Sequence, residues 1–180
     1  MNVIKYFFLA IIVLGFLAGC SSVSVTNDYD PAADFSAYST FSIYDGVIKD
    51  SELENVPLAK KRVLEAINNE MLTKGLTEAE TAIADLIIYA HGGTTEKMNV
   101  NDYGYGYGGW WGPSPYGRDI DVSYYTQASL IIDFVDNSKK ELVWRGIGSA
   151  ALQDRGTPEE RQQFIDEAVA QILNQYPPVE

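Results

Sequence analysis

The chain predicts a two-layer α+β domain, with a single, mostly antiparallel sheet of about five strands and two amphipathic helices packed on it. Two observations carry this. Apolar alternation or short unbroken apolar runs of strand length recur at five places along the sequence. Two longer stretches each carry one apolar stripe at helical spacing, and two such stripes need a common sheet surface to bury them.

The elements follow in chain order. Lys5 precedes an apolar stretch from Tyr6 to Ala18, too short for a membrane span of about 20 residues but the right length for a signal-peptide core. Leu17-Ala18-Gly19-Cys20 then matches the lipobox of bacterial lipoproteins. Residues 1–19 are expected to be removed and Cys20 to carry acyl chains; stable anchoring takes at least two of them. Ser21 follows with no acidic residue beside the cysteine, which by resemblance to the sorting rules of enterobacterial lipoproteins implies the outer membrane, with residues 20–180 as one periplasm-facing domain.

Ser22 to Thr26 and Ser39 to Tyr44 alternate as half-buried strands, separated by the turn chemistry of Asp28-Tyr29-Asp30-Pro31. Asn55 is expected to cap a helix with Pro57 in its first turn. Leu58, Val63, Leu64, Ile67, Met71 and Leu72 form its stripe, and Lys74-Gly75 ends it. Leu86-Ile87-Ile88-Tyr89-Ala90 is an apolar run suited to a central strand covered on both faces, with His91 at its end. Gln127 to Val135 and Glu141 to Arg145 read as a hairpin continuing towards Leu152, with Trp144 inward and Arg145 towards solvent or a carboxylate. Thr157-Pro158-Glu159-Glu160 is a capping box, followed by a stripe from Phe164 to Leu173 and the stop Pro177-Pro178.

Composition narrows the function classes. Without residues 1–19 the chain has 12 basic against 25 acidic residues, a net charge of −13. That charge argues against nucleic acid and against electrostatic docking on anionic lipid. Cys20 is the only cysteine and His91 the only histidine, so neither a disulfide nor a zinc site is expected.

Asn27-Asp28-Tyr29-Asp30, Asp34-Phe35-Ser36-Ala37-Tyr38-Ser39-Thr40-Phe41, Ala84-Asp85-Leu86-Ile87-Ile88, Leu142-Val143-Trp144-Arg145-Gly146 and the closing Ile172-Leu173 to Tyr176-Pro177-Pro178 follow one another over nearly the whole mature chain. In this order and spacing they resemble the bacterial envelope lipoproteins of domain-of-unknown-function family 4136. The resemblance implies an anchored periplasmic domain with no established activity and no catalytic residues to carry over.

The compositional anomaly is the Gly, Tyr and Trp-rich loop within 101–118, which bears Tyr103, Tyr105, Tyr107, Trp110, Trp111 and Tyr116. Gly104, Gly106 and Gly109 satisfy a dinucleotide-binding spacing, but such glycines must open a helix, and here two tryptophans and two prolines follow. Three readings stay open: an insert with no task, a contact surface for an envelope protein or cell-wall glycan, and insertion of Trp110 and Trp111 into the lipid interface. Asp102, Asp119 and Asp121 lack a calcium-loop pattern and read as solvated acids. No metal or other cofactor is expected. The leading functional expectation is a non-catalytic binding module; the alternative is an envelope hydrolase working through carboxylates such as Asp85 or Asp133, which would have to lie about 5 to 9.5 Å apart.

Overall fold

The computed structural model describes residues 23–102, 120–152 and 156–178, with the backbone alone at 98–102 and 120–124. The expected signal segment, Cys20 and the aromatic positions Tyr103, Tyr105, Tyr107, Trp110, Trp111 and Tyr116 lie outside these residues, as does Asp119. The described chain is α+β: strands β1 (Ser24–Tyr29), β2 (Thr40–Ile43), β3 (Thr77–Glu78), β4 (Leu86–Asp102), β5 (Ile120–Asp136) and β6 (Glu141–Ala151), with helices α1 (Pro57–Thr73) and α2 (Pro158–Leu173). Neither helix is long and apolar enough to cross a membrane.

One sheet holds all six strands in the order β1-β6-β5-β4-β2-β3. It is mostly antiparallel, as expected, with a parallel edge: β1, β6, β5 and β4 pair antiparallel, whereas β2 pairs parallel with both β4 and β3. The parallel part follows from α1, which carries the chain back across the sheet between β2 and β3, as a parallel connection requires. The sixth strand is two-residue β3, too short to leave an alternation pattern.

The core lies between the sheet and the helices. Phe41, Leu86, Ile88, Ile132, Phe134 and Trp144 meet Ile67 and Met71 of α1 and Val169, Ile172 and Leu173 of α2, all completely buried. Tyr176 closes one end, with its ring centroid 4.5 Å from that of Phe134 and 5.6 Å from that of Trp144. The expected central strand is borne out: β4 sits between β5 and β2, and Ile87, on the face away from the helices, is also buried. On that face the chain around Thr81 is held across the sheet by a 2.8 Å hydrogen bond between the Thr81 and Ser42 hydroxyls and by the Asn137 amide donating to the Thr81 and Ala84 carbonyls.

Several boundaries move. β1 runs on through Tyr29, which the turn chemistry assigns to the bend, because it keeps a partner as far as Trp144 and Asp30 N–H still donates to the Val143 carbonyl. Asn55 does not cap α1; it belongs to a 3₁₀ turn, Glu52–Asn55, and Val56 stands at the cap position without a side-chain hydrogen bond. Leu58 and Leu72, expected on the buried stripe, are 70% and 47% exposed. The capping box of α2 forms as read: Thr157 Oγ1 accepts from Glu160 N–H, and the Glu160 carboxylate accepts from Thr157 N–H. Gly75 ends α1 with φ +89°, the left-handed position that glycine fills at no steric cost.

The absence of side chains at Gly146 and Gly148 lets α2 approach β6. A Cβ on Gly148 would come within 2.6 Å of Ile172 Cδ1. Gly148→Val is expected to lower stability by about 1–3 kcal/mol through overpacking; a thermal melt with an unshifted midpoint would refute the close approach.

Candidate functional site

The largest departure from the expected strand lengths is the β4–β5 hairpin, whose arms stay in register from Leu86↔Asp136 to Asp102↔Ile120. On β4 the apolar run stops at Ala90, over the core, whereas β5 alternates again further out through Ile120, Val122 and Tyr124, a signal that sequence reading passed over. Between these stretches stand polar and β-branched residues such as Thr94, Thr95 and Thr126, which favour strands. Thr94, Thr95, Glu96, Lys97 and Tyr125 are exposed there. The aromatic segment 103–117 falls between the outer ends of these arms and beyond the described residues.

Where the hairpin leaves the core, the two layers part and leave a groove of about 760 Å³. Its floor is made of small and apolar residues of the sheet, Gly92, Ala128, Leu130, Gly148 and Ala150. Val56, Ala59 and Val63 form one wall, and Phe164, Ile165 and Ala168 of α2 the other. The 3₁₀ turn that starts α1 is fastened to β4 by Gly92 N–H donating to Ser51 Oγ (3.0 Å) and Thr94 Oγ1 donating to Glu52 Oε2 (2.6 Å). Val56 and Leu152 stand 49% and 62% exposed beside it. Size and lining suit an apolar ligand, because binding cavities of roughly 300–1,000 Å³ are mainly hydrophobic with few polar groups. Sequence reading missed this groove, since its lining comes from six separated stretches of chain and none is marked as a site by itself.

On the other face of the sheet, Asp133 is buried beneath a bidentate pair with Arg145, at 2.6 Å from Nε to Oδ1 and 2.7 Å from Nη2 to Oδ2. The inward Trp144 and carboxylate-paired Arg145 therefore match the alternation argument. The bound carboxylate also raises the guanidinium pKa further. His91 Nε2 lies 3.2 Å from Asp133 Oδ2. His91 is thus not at a strand end but inside β4, opposite Ile131, because β5 supplies pairing far beyond the apolar run.

Asp85 does a different job. Its Oδ2 accepts from the N–H groups of Ser39 and Thr40 and from both hydroxyls, and the Ser39 N–H foremost, then the Thr40 hydroxyl, hold its pKa below the usual carboxylate value. Asp133 stands opposite Tyr89, four residues along β4 from Asp85, or about 13 Å of strand rise. The fold does not bring these two carboxylates to glycosidase spacing. Asp102 and Asp121 lie on neighbouring arms, offset by one register step, and among the residues whose side chains are described no group of three or more metal-ligating residues forms.

Comparison with known proteins gives a family and a fold. The family model described as "Domain of unknown function (DUF4136)" matches residues 25–178. A crystal structure of a DUF4136 family protein from Bacteroides thetaiotaomicron is similar at 25% identity and a TM-score of 0.53, over 88% of this chain and 97% of that one. A PDZ domain protein from Parabacteroides distasonis is similar in fold at 14% identity and a TM-score of 0.55, over 96% of this chain; this chain spans 40% of its length. No curated protein matches the chain.

Proposed function

This chain belongs to the DUF4136 family, and from that premise we propose that it is a non-catalytic binding module of the bacterial outer membrane, anchored through acylated Cys20 and facing the periplasm. The observation that carries the binding reading is the groove of about 760 Å³. Its apolar walls favour an apolar segment of another envelope protein. Glu52, Asn55, Arg62 and Arg161 are the larger polar residues of an otherwise mainly apolar lining, too few for the dense hydrogen bonding that a glycan needs. The aromatic residues Tyr103, Tyr105, Tyr107, Trp110, Trp111 and Tyr116, which follow β4 in sequence, are further candidates for that contact. Lipobox and apolar leader, Tyr6 to Ala18, support the anchor. The engaged states of Asp85 and Asp133 speak against the hydrolase alternative, because each carboxylate is already bound by its own chain.

Photocrosslinking in intact cells tests the reading. A benzophenone side chain at Val56 or Leu152, both beside the groove, is expected to give one discrete protein adduct. Ala59→Trp, which fills the groove, should abolish that adduct while the circular dichroism spectrum stays native. The reading falls if the same adduct forms from Lys139 at the far end of the sheet, if only glycan is captured, or if Ala59→Trp changes nothing.

A further inference from the structure

The relation between the amino-terminal tether and the hairpin fixes which end of the domain faces the bilayer. β1 runs antiparallel to β6, and β6 antiparallel to β5, so Ser24 lies in one row across the sheet with Ser149, Ser129 and Gly93. Because β1 starts at Ser24 and runs away from the hairpin's outer end, the preceding chain leaves the sheet at the end from which the hairpin projects. Cys20 stands four residues before Ser24, and four extended residues reach about 14 Å at most.

Beyond Gly93 the arms continue for nine residues to Asp102, about 30 Å at strand rise. The projection is therefore about twice the tether. The opposite orientation fails on the same arithmetic. With the hairpin pointing away from the bilayer, the inner part of β4 from Gly93 back to Leu86, about 23 Å of strand, would stand between Ser24 and the surface, further than the tether spans.

We infer that the outer part of the β4–β5 hairpin, residues 94–102 and 120–127, is a membrane-contact element that lies on or dips into the phospholipid surface holding the lipid of Cys20. This rests on the anchor proposed above. The contact is set by chain length and not by charge: the element carries Glu96, Asp102 and Asp121 against Lys97 alone, and the mature chain is strongly acidic. Tyr125, 43% exposed on β5, has the amphipathic ring that interfacial positions favour.

The test uses the full lipidated protein in vesicles of phosphatidylethanolamine and phosphatidylglycerol. Cys20 is the only native cysteine and its sulfur is consumed by lipidation, so a single introduced cysteine can carry a spin label. Labels at Thr95→Cys and Gln127→Cys, on paired positions of the two arms, are compared with one at Lys139→Cys in the turn at the opposite end. Collision with membrane-dissolved oxygen is expected to be several-fold higher for the two hairpin labels than for the Lys139 label. Equal collision rates in protein that floats with the vesicles would overturn the inference and leave the anchor standing. Protein that does not float with the vesicles would overturn both, and flotation separates the two failures.

Discussion

Trp144→Ala is expected to cost about 3–5 kcal/mol of folding stability, a large part of the roughly 5–15 kcal/mol that a domain possesses. Trp144 is completely buried, its ring 4.9 Å from Phe134 and 5.6 Å from Tyr176 between centroids, and it lies where β6 meets the helix layer. Its loss removes both transfer energy and the packing partners of two other rings. A second substitution separates packing from polarity. Trp144 Nε1 is buried with no hydrogen-bond partner among the described residues, and leaving a donor unpaired costs about 1–3 kcal/mol. Trp144→Phe removes that donor, which offsets part of the smaller ring's cavity, so its loss should be about 1 kcal/mol. Chemical denaturation followed by far-ultraviolet circular dichroism gives both values. An alanine variant losing under about 1 kcal/mol, or a phenylalanine variant losing as much as alanine, would contradict this account.

Asp136→Asn is expected to remove about 2 kcal/mol at neutral pH and much less near pH 2. Burial pushes the Asp136 carboxyl up, but the Lys139 N–H, the Ser138 and Tyr38 hydroxyls and the Ser138 N–H together outweigh it and hold the pKa at about 2. The folded value lies below the ordinary 3.8, so the stabilisation is complete above about pH 4 and fades as pH falls towards 2. Asp85, also held below its usual value, adds to the same acid lability. The same contact works on its donor: burial first, and then the hydrogen bond to Asp136, push the Tyr38 hydroxyl up to about 12. Unfolding titrations of the native protein and the Asp136→Asn variant at about pH 7 and about pH 2.5 measure the difference. An equal gap at both pH values would show that the carboxylate's charge is not what holds the turn.

Elements whose signal is local were legible in the sequence. The capping box at Thr157 and the glycine stop at Gly75 are set by neighbours within a few residues, so reading them needs no knowledge of the fold. Trp144 and Arg145 could be placed on opposite faces by alternation alone. The length of β4 could not, because the apolar run ends at Ala90, Thr94 to Lys97 holds no apolar residue, and what extends the strand is the pairing with β5. Leu58 misled for the reverse reason: its spacing fits the α1 stripe, but the helix rests on the sheet through Val63, Ala66, Ile67 and Met71 further along.

By itself the sequence determined the α+β class, the two amphipathic helices, the family pattern and the absence of a recognisable catalytic signature, all of which depend on residue order over short distances. Tertiary structure alone decided the parallel β2 pairings, the groove between the layers and the meeting of His91, Arg145 and Asp133 on the open face. It also decided that Ser24 and the outer hairpin share one end of the sheet. These features depend on which strands become neighbours, and the free energy that selects neighbours comes from contacts between residues far apart in the chain.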